Sequence, residues 1–488
     1  MRRRIPLRAR SAIATAGATL VVAASLSVAA LSGGPSVVER GAARAGGNPE
    51  AEEQAAETEL RELALADARE AGLDGRTGRI VTRAAEGWAG ETLMGRGDDW
   101  EPAVAADPNA PYVYLLLTRY GGARACPRCP SPNIILRRSV DEGRTWLPRQ
   151  FLCPCRGWGG QFDPIIEVVP ETGDVVAIWM NGFHVFFSRS GDHGVTWTKA
   201  VPTYGSVRWN DKPVLAVSDD GQDVYVSLNG PDNGDPYAMQ SHDGGLTWSH
   251  TRLVDSKRYY FAFDADVLPD GTAIFSESSL DYTEPGRAPT GEIRHHVFIS
   301  RDEGQTWERH LIDGVPVGEL CVADGCSPDF YLGHPVVTAD DTGALTLLYD
   351  GATREGGPQR IWAVRSSDAG QSWSRRLPLS RFGHNATSPA VEATGDGDVR
   401  AWYMEENVGP NSWNVWYRES HNGGVRWKAP VKISDAISGA AYKRRAGFYE
   451  VYGDYGEMAI TVNGRTIAAW GEGFSWIGPG GIWMNRGR

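Results

Sequence analysis

The sequence predicts an all-β protein folded as a seven-bladed β-propeller. Three observations carry that prediction. One eight-residue pattern recurs six times, a run of short apolar segments accompanies it, and glycine (59) and tryptophan (18) are abundant in a chain of 488 residues. Short strands joined by glycine-rich turns at a regular period are the mark of a radially repeated β fold.

The six copies read SVDEGRTW (139–146), SGDHGVTW (190–197), SHDGGLTW (241–248), SRDEGQTW (300–307), SSDAGQSW (366–373) and SHNGGVRW (420–427). Their starts are 51, 51, 59, 66 and 54 residues apart, enough for four short strands and loops. The Asp accepts hydrogen bonds from backbone N–H groups of its own turn, and the Gly takes up dihedrals that a Cβ would penalise. The Thr or Ser begins the next strand, and the Trp fills apolar space between packed sheets. The last copy is degenerate, with Asn422 for Asp and Arg426 for Thr. A calcium loop is excluded, because each copy offers one carboxylate where calcium needs several oxygen ligands. The six repeated tryptophans are a third of the 18, so the excess reflects repetition and not a binding surface.

A first-strand signal precedes each copy: EPAVAADP from Glu101, DPIIEV from Asp163, DKPVLAV from Asp211, DADVLP from Asp264, HPVVTA from His334 and SPAVEA from Ser388. A seventh, GEMAITV from Gly456, is followed by TIAAWGE (466–472) and GIWMNR (481–486) but by no further copy. The missing fourth strand is expected from residues 79–94, which would pair both ends of the propeller in one blade and remove the exposed edges. Six blades is the alternative count.

Residues 1–32 have the order of a secretory signal, with Arg2 to Arg4 ahead of a small-residue and apolar stretch from Ala12 to Leu31. Residues 33–78 read as a spacer with a short helix over 49–72, and 79–488 as the propeller. The formal charge is −12, falling to about −17 without the five arginines of the leader. An acidic chain without a basic tract argues against nucleic acid as a partner. No membrane association is expected once the leader is cleaved.

The repeats are those called Asp-boxes, and the chain resembles the sialidase-like (BNR-repeat) β-propellers over about residues 95–488. The resemblance implies that each box joins the third and fourth strands of its blade, on the face away from the active site. It also implies chemistry on glycans, since such propellers include sialidases, other glycosidases, polysaccharide lyases and noncatalytic modules. The expected function is a secreted, sialidase-like glycoside hydrolase acting on an extracellular saccharide. The alternatives are a polysaccharide lyase and a noncatalytic carbohydrate- or protein-binding propeller. No cofactor is expected.

The mouth opposite the boxes collects the candidate residues. Asp211 or Asp264 supplies the acid, and Tyr449 with Glu450, or Tyr455 with Glu472, the nucleophile pair. Arg208, Arg258 and Arg444 or Arg445 form a divergent clamp for a carboxylate, and Trp209, Tyr455 and Trp470 offer faces for sugars. His184, His334 and His384 add proton-transfer groups. Against the sialidase pattern, Trp100 stands where the first arginine would fall, and Phe162, Asp211 and Thr387 hold the same place on later strands. Cys126, Cys129, Cys153 and Cys155 form either two disulfides of unassigned pairing or a zinc site, export favouring disulfides. Cys321 and Cys326 are expected to form a local disulfide.

Overall fold

The computed structural model describes residues 83–95, 99–120, 123–282, 288–320, 333–407, 413–436, 455–473 and 480–487. The expected leader, spacer and helix lie outside them, as does the expected Cys321–Cys326 bridge. Among the described residues no helix is long and apolar enough to cross a membrane.

Seven antiparallel four-stranded sheets make up the fold. The first strands of blades 1 to 7 are Asp99–Ala106, Gln161–Val168, Asp211–Val217, Tyr259–Val267, Val336–Ala339, Ala386–Thr394 and Glu457–Ile460. In blades 1 to 6 the strands follow in chain order outward from the central channel, which the first strands line. Blade 7 takes Thr466–Gly473 and Gly480–Arg486 as its second and third strands. Thr92–Leu93 is its outermost, with Thr92 opposite Met484 and Leu93 opposite Trp483. The six-bladed alternative is thereby excluded: the last segment carries a first strand of its own.

Each Asp-box joins a third strand to a fourth, and its hydrogen bonds repeat. In the first box Thr145 donates from both N and Oγ1 to the two oxygens of Asp141 (2.8 and 2.6 Å), while Ser139 Oγ donates to Asp141 (2.8 Å) and accepts from Gly143 N (2.8 Å). Bonds of this kind favour the ionised form, and the hydroxyl and amide of Thr196 hold Asp192 at a pKa of about 2. Asn422 keeps the amide half of the arrangement, accepting from Arg426 N (2.9 Å). The fourth and fifth residues are both left-handed, as at Glu142 (φ 57°) and Gly143 (φ 75°), so the invariant Gly is a backbone requirement. The tryptophans pack between blades. Trp307 stacks on Phe275 at 4.6 Å and meets Tyr225 of the preceding blade edge-on at 6.2 Å.

The ring closes between blades 7 and 1 through more than the strand pair. Glu142 Oε1 accepts from Thr461 Oγ1 (2.9 Å), Asn463 N (3.1 Å) and Asn463 Nδ2 (2.9 Å), and Arg486 Nε donates to the Glu142 carbonyl (2.7 Å).

The box geometry separates two glycine substitutions. In Gly245→Ala the new Cβ would fall inside the Phe187 ring at φ +90°, and a loss of roughly 2–4 kcal/mol is expected. Gly423→Ala, at φ +61° with nothing near the added methyl, takes the backbone that Ala369 (φ 51°) already holds in the fifth box and should cost under about 1 kcal/mol. Urea unfolding of the two variants checks the difference.

Candidate functional site

Five first strands are preceded or opened by a residue–proline pair: Glu101-Pro102, Asp163-Pro164, Lys212-Pro213, His334-Pro335 and Ser388-Pro389. Proline lacks the N–H a ladder needs and restricts the residue before it. In four of the pairs that residue is left-handed: Glu101 (φ 55°), Asp163 (φ 44°), Lys212 (φ 48°) and Ser388 (φ 48°). Strand register shifts at the same places, between Trp100 and Ala103, Phe162 and Ile165, Asp211 and Val214, and Thr387 and Ala390. These are bulges, which re-aim side chains at the cost of strain, of order 1–3 kcal/mol for each left-handed residue. The strain is repeated at the end of the channel opposite the Asp-boxes.

Two of the re-aimed residues meet. Glu101 Oε2 accepts from Thr118 Oγ1 and from Asp163 N (2.9 Å), so it is held as an acceptor. Asp163 is 2% exposed and no donor reaches either of its oxygens. Burial, and next the Glu101 carboxylate, push its pKa well above the ordinary range, with Lys212 opposing and Asp211 adding to the rise. A proton on Asp163 then hydrogen-bonds to Glu101. Tyr455 completes the cluster. Its hydroxyl donates to the Pro164 carbonyl (3.1 Å), and burial, with Asp163 and Glu101 nearby, holds the phenol neutral.

Below the mouth the channel is a cavity of about 800 Å³, whose lining includes Glu167, Asp264, Asp266, His334, Glu392, Tyr455 and Glu457. Several of its carboxyls serve the backbone. Asp264 accepts from Val337 N (3.0 Å) and Asp266 from Ala339 N (2.6 Å), both in the next blade, and Glu457 accepts from Val104 N (2.8 Å) across the closing seam. Burial raises Asp264 to about 8 and Asp266 to about 6, and lifts Glu167, Glu392 and Glu457 well above the usual range. No group of His, Cys, Asp and Glu able to hold a metal is found among the described residues.

His334 is fixed differently. Its Nδ1 faces Asp350 Oδ2 (2.8 Å), its backbone N donates to Asp350 Oδ1 (2.8 Å), and Thr387 Oγ1 donates to Asp350 Oδ2 (2.7 Å). Asp350 is fully buried; burial works against its charge, but the adjoining His334 and the hydrogen bonds from His334 and Thr387 outweigh it and hold the pKa low.

The residues expected from sequence are placed unevenly. Asp211 is 2% exposed beside the Asp163 carboxyl, and Tyr455 forms the floor of the mouth. Arg208 is exposed and Trp209 half-buried in the loop that enters blade 3. Three expectations are corrected. Asp264 bridges blades 4 and 5 through backbone N–H groups instead of standing at the mouth. Arg258 is spent on Asp281, Ser279 and the Glu292 carbonyl, which fasten its own blade. Trp470 is fully buried, packs against Trp402 (6.2 Å) and donates to Glu472 (3.0 Å), so it has no free face and engages the carboxylate proposed as partner for Tyr455. Arg444, Arg445, Tyr449 and Glu450 lie outside the described residues. The cysteines pair as Cys126–Cys129 and Cys153–Cys155, so the four-cysteine zinc site is not formed.

Trp100 and Phe162, where sialidase arginines would stand, pack on either side of Tyr120 at 5.6 and 6.0 Å. Glu101 was not legible as a site residue because the sialidase pattern falls on Trp100, one place earlier. Its signal was the repeated residue–proline pair.

Residues 97–320 match the family model for the BNR repeat-like domain. With six Asp-boxes joining third and fourth strands, residues 97–320 are BNR repeat-like, and the chain folds as an Asp-box β-propeller. No curated protein matches it by sequence. Among solved structures it is similar to the Hadza microbial sialidase Hz136, at 14% identity over 80% of this chain and 65% of that one, with a TM-score of 0.42. It is also similar to a PL25 polysaccharide lyase, an ulvan lyase (13%, 82% and 95%, 0.48), and to the NanB sialidase of Streptococcus pneumoniae (12%, 84% and 70%, 0.41). The propeller thus spans about two thirds of the Hz136 chain. Likenesses this remote concern the fold and say nothing of chemistry.

The raised carboxyls fix the sign of the pH dependence. Asp264 (about 8), Asp266 (about 6) and the fully buried Glu277 (about 8, raised by burial) keep protons that the unfolded chain releases near pH 4. Their contribution to stability is complete below about pH 4 and is lost as pH rises through each folded value, for Asp266 by about pH 6 and for Asp264 and Glu277 by about pH 8. Glu277 Oε1 accepts from Ser227 Oγ (2.6 Å) and its Oε2 has no partner, so Glu277→Gln should flatten the decline. Unfolding midpoints in urea between about pH 5 and about pH 8 measure it; an unchanged slope would refute the assignment.

Proposed function

We propose that this propeller is a secreted glycan-active enzyme, a glycoside hydrolase whose acid is Asp163. The observation that carries the reading is the Glu101–Asp163 pair, two carboxyls at the mouth whose environments separate an acceptor from a proton carrier. Pairs driven apart in this way mark acid and base roles, and glycosidic bonds need a proton delivered to the leaving oxygen. Asp163 holds that proton where an ordinary aspartic acid has lost it. Tyr455, neutral and hydrogen-bonded to Pro164, forms a polar floor for the sugar ring.

The mouth also suits a saccharide in shape. Trp158 (40% exposed) packs on Phe186 at 4.5 Å, and Tyr204 stacks on His184 at 4.2 Å, giving one rim an aromatic surface. Phe382, 81% exposed, stands on the connection between blades 5 and 6. Such faces pack against the apolar sides of sugars. Of the five residues before the prolines only Lys212 is a permanent cation, so the reacting ring is neutral or carries a single acidic group, unlike a substrate held by three arginines.

Turnover of a broad glycan panel, read as new reducing ends, tests the proposal. Asp163→Asn should lower kcat at least 100-fold with the fold retained, and Glu101→Gln should shift the pH profile while leaving some activity. Unsaturated products absorbing in the ultraviolet would replace hydrolysis by elimination. Saturable binding without product would replace it by a binding module, and full activity in Asp163→Asn would overturn the assignment of the acid.

A further inference from the structure

The hydrolase reading leaves a second catalytic group unnamed, and His334 has the features of one. His334 lines the same cavity as Tyr455, while the acid stands with Glu101 on blades 1 and 2, outside that lining. His334 enters blade 5, so the two groups occupy separate arcs of a seven-membered ring. Asp350 accepts a hydrogen bond from Nδ1–H, and Thr387 holds Asp350 from the neighbouring blade. With the Nδ1 proton fixed, Nε2 is the basic nitrogen. Other buried imidazole nitrogens in this chain, both of His295 and Nδ1 of His296, are orphaned inside the protein; Nε2 of His334 is not among them. Phe263 meets the ring edge-on at 4.9 Å and fixes its plane.

We propose that His334, oriented by Asp350 and Thr387, is the general base that activates water against the anomeric carbon. This rests on the hydrolase reading. In the step, the water oxygen bonds to the anomeric carbon as the bond from that carbon to the leaving oxygen breaks. Nε2 takes a proton from the water, and the leaving oxygen takes the proton of Asp163. Direct attack by water inverts the anomeric centre. The mechanism uses no covalent sugar intermediate, in keeping with a Tyr455 phenol that burial holds neutral.

The groups facing His334 are Asp350 from the second strand of its own blade, Thr387 of blade 6, His295 of blade 4 (kept neutral by burial, pKa about 4), Asp313 beyond it, and the Asp264 carboxyl that shares the cavity wall.

The experiment uses the full chain and the substrate found in the panel. Proton NMR of the first product should show the inverted anomer. His334→Gln should lower kcat at least 100-fold with KM little changed, remove the acidic limb of the kcat/KM profile, and regain turnover on adding imidazole. Asp350→Asn, which releases the ring from its tautomer, should lower kcat as well, with loss of the far-downfield Nδ1 proton resonance in the free enzyme. Retention of configuration, or a His334→Gln enzyme with an intact acidic limb, would overturn this inference while Asp163→Asn continued to report on the acid. Absence of hydrolysis by the wild-type chain would overturn both.

Discussion

The closure of the ring is the constraint on which everything else in this protein depends. A blade buries its faces only against two neighbours, so one open seam would expose the sides of blades 7 and 1 together. The chain closes it with a two-residue strand at Thr92–Leu93 and with Glu142, which receives three hydrogen bonds from the Thr461–Asn463 turn. That a residue of the first Asp-box makes this contact is informative. The box is a local turn by its hydrogen bonds, but its outward residues tie blades together. Arg138 reaches the carbonyl of His193 in the second box (2.9 Å), and Arg189 reaches Gly221 (3.0 Å) in the same manner.

The channel answers to a different demand. First strands converge there, and their free N–H groups need acceptors in a narrow space that backbone alone cannot fill. Asp264, Asp266 and Glu457 supply acceptors across blade boundaries. Carboxyls so enclosed are costly when ionised, and they keep their protons above the usual range. The mouth uses the same physics with one bond fewer. Glu101 has its donors and Asp163 has none, and the difference turns a structural device into an asymmetric pair.

Much of the architecture was legible in the chain. The Asp-box can be read from sequence because its hydrogen bonds lie within eight residues, as those of Ser139, Asp141, Gly143 and Thr145 do. First strands were legible as short apolar runs. The site was read less well, for a reason visible in Asp264 and Trp470. Both residue types belong in a sugar site, but whether an Asp meets a ligand or the amide of Val337 depends on a strand 73 residues away. Glu101 and Asp163 are 62 residues apart and meet only because adjacent blades carry the same bulge.

By itself the sequence determined the repeat and the turn chemistry, since each rests on contacts between residues close in the chain. The tertiary structure alone decided which carboxyls would pair, which would serve the backbone, and which histidine would be held by a buried aspartate. Those outcomes follow from how much water and how many donors remain around a side chain after seven sheets have closed on one axis. No local pattern encodes that quantity.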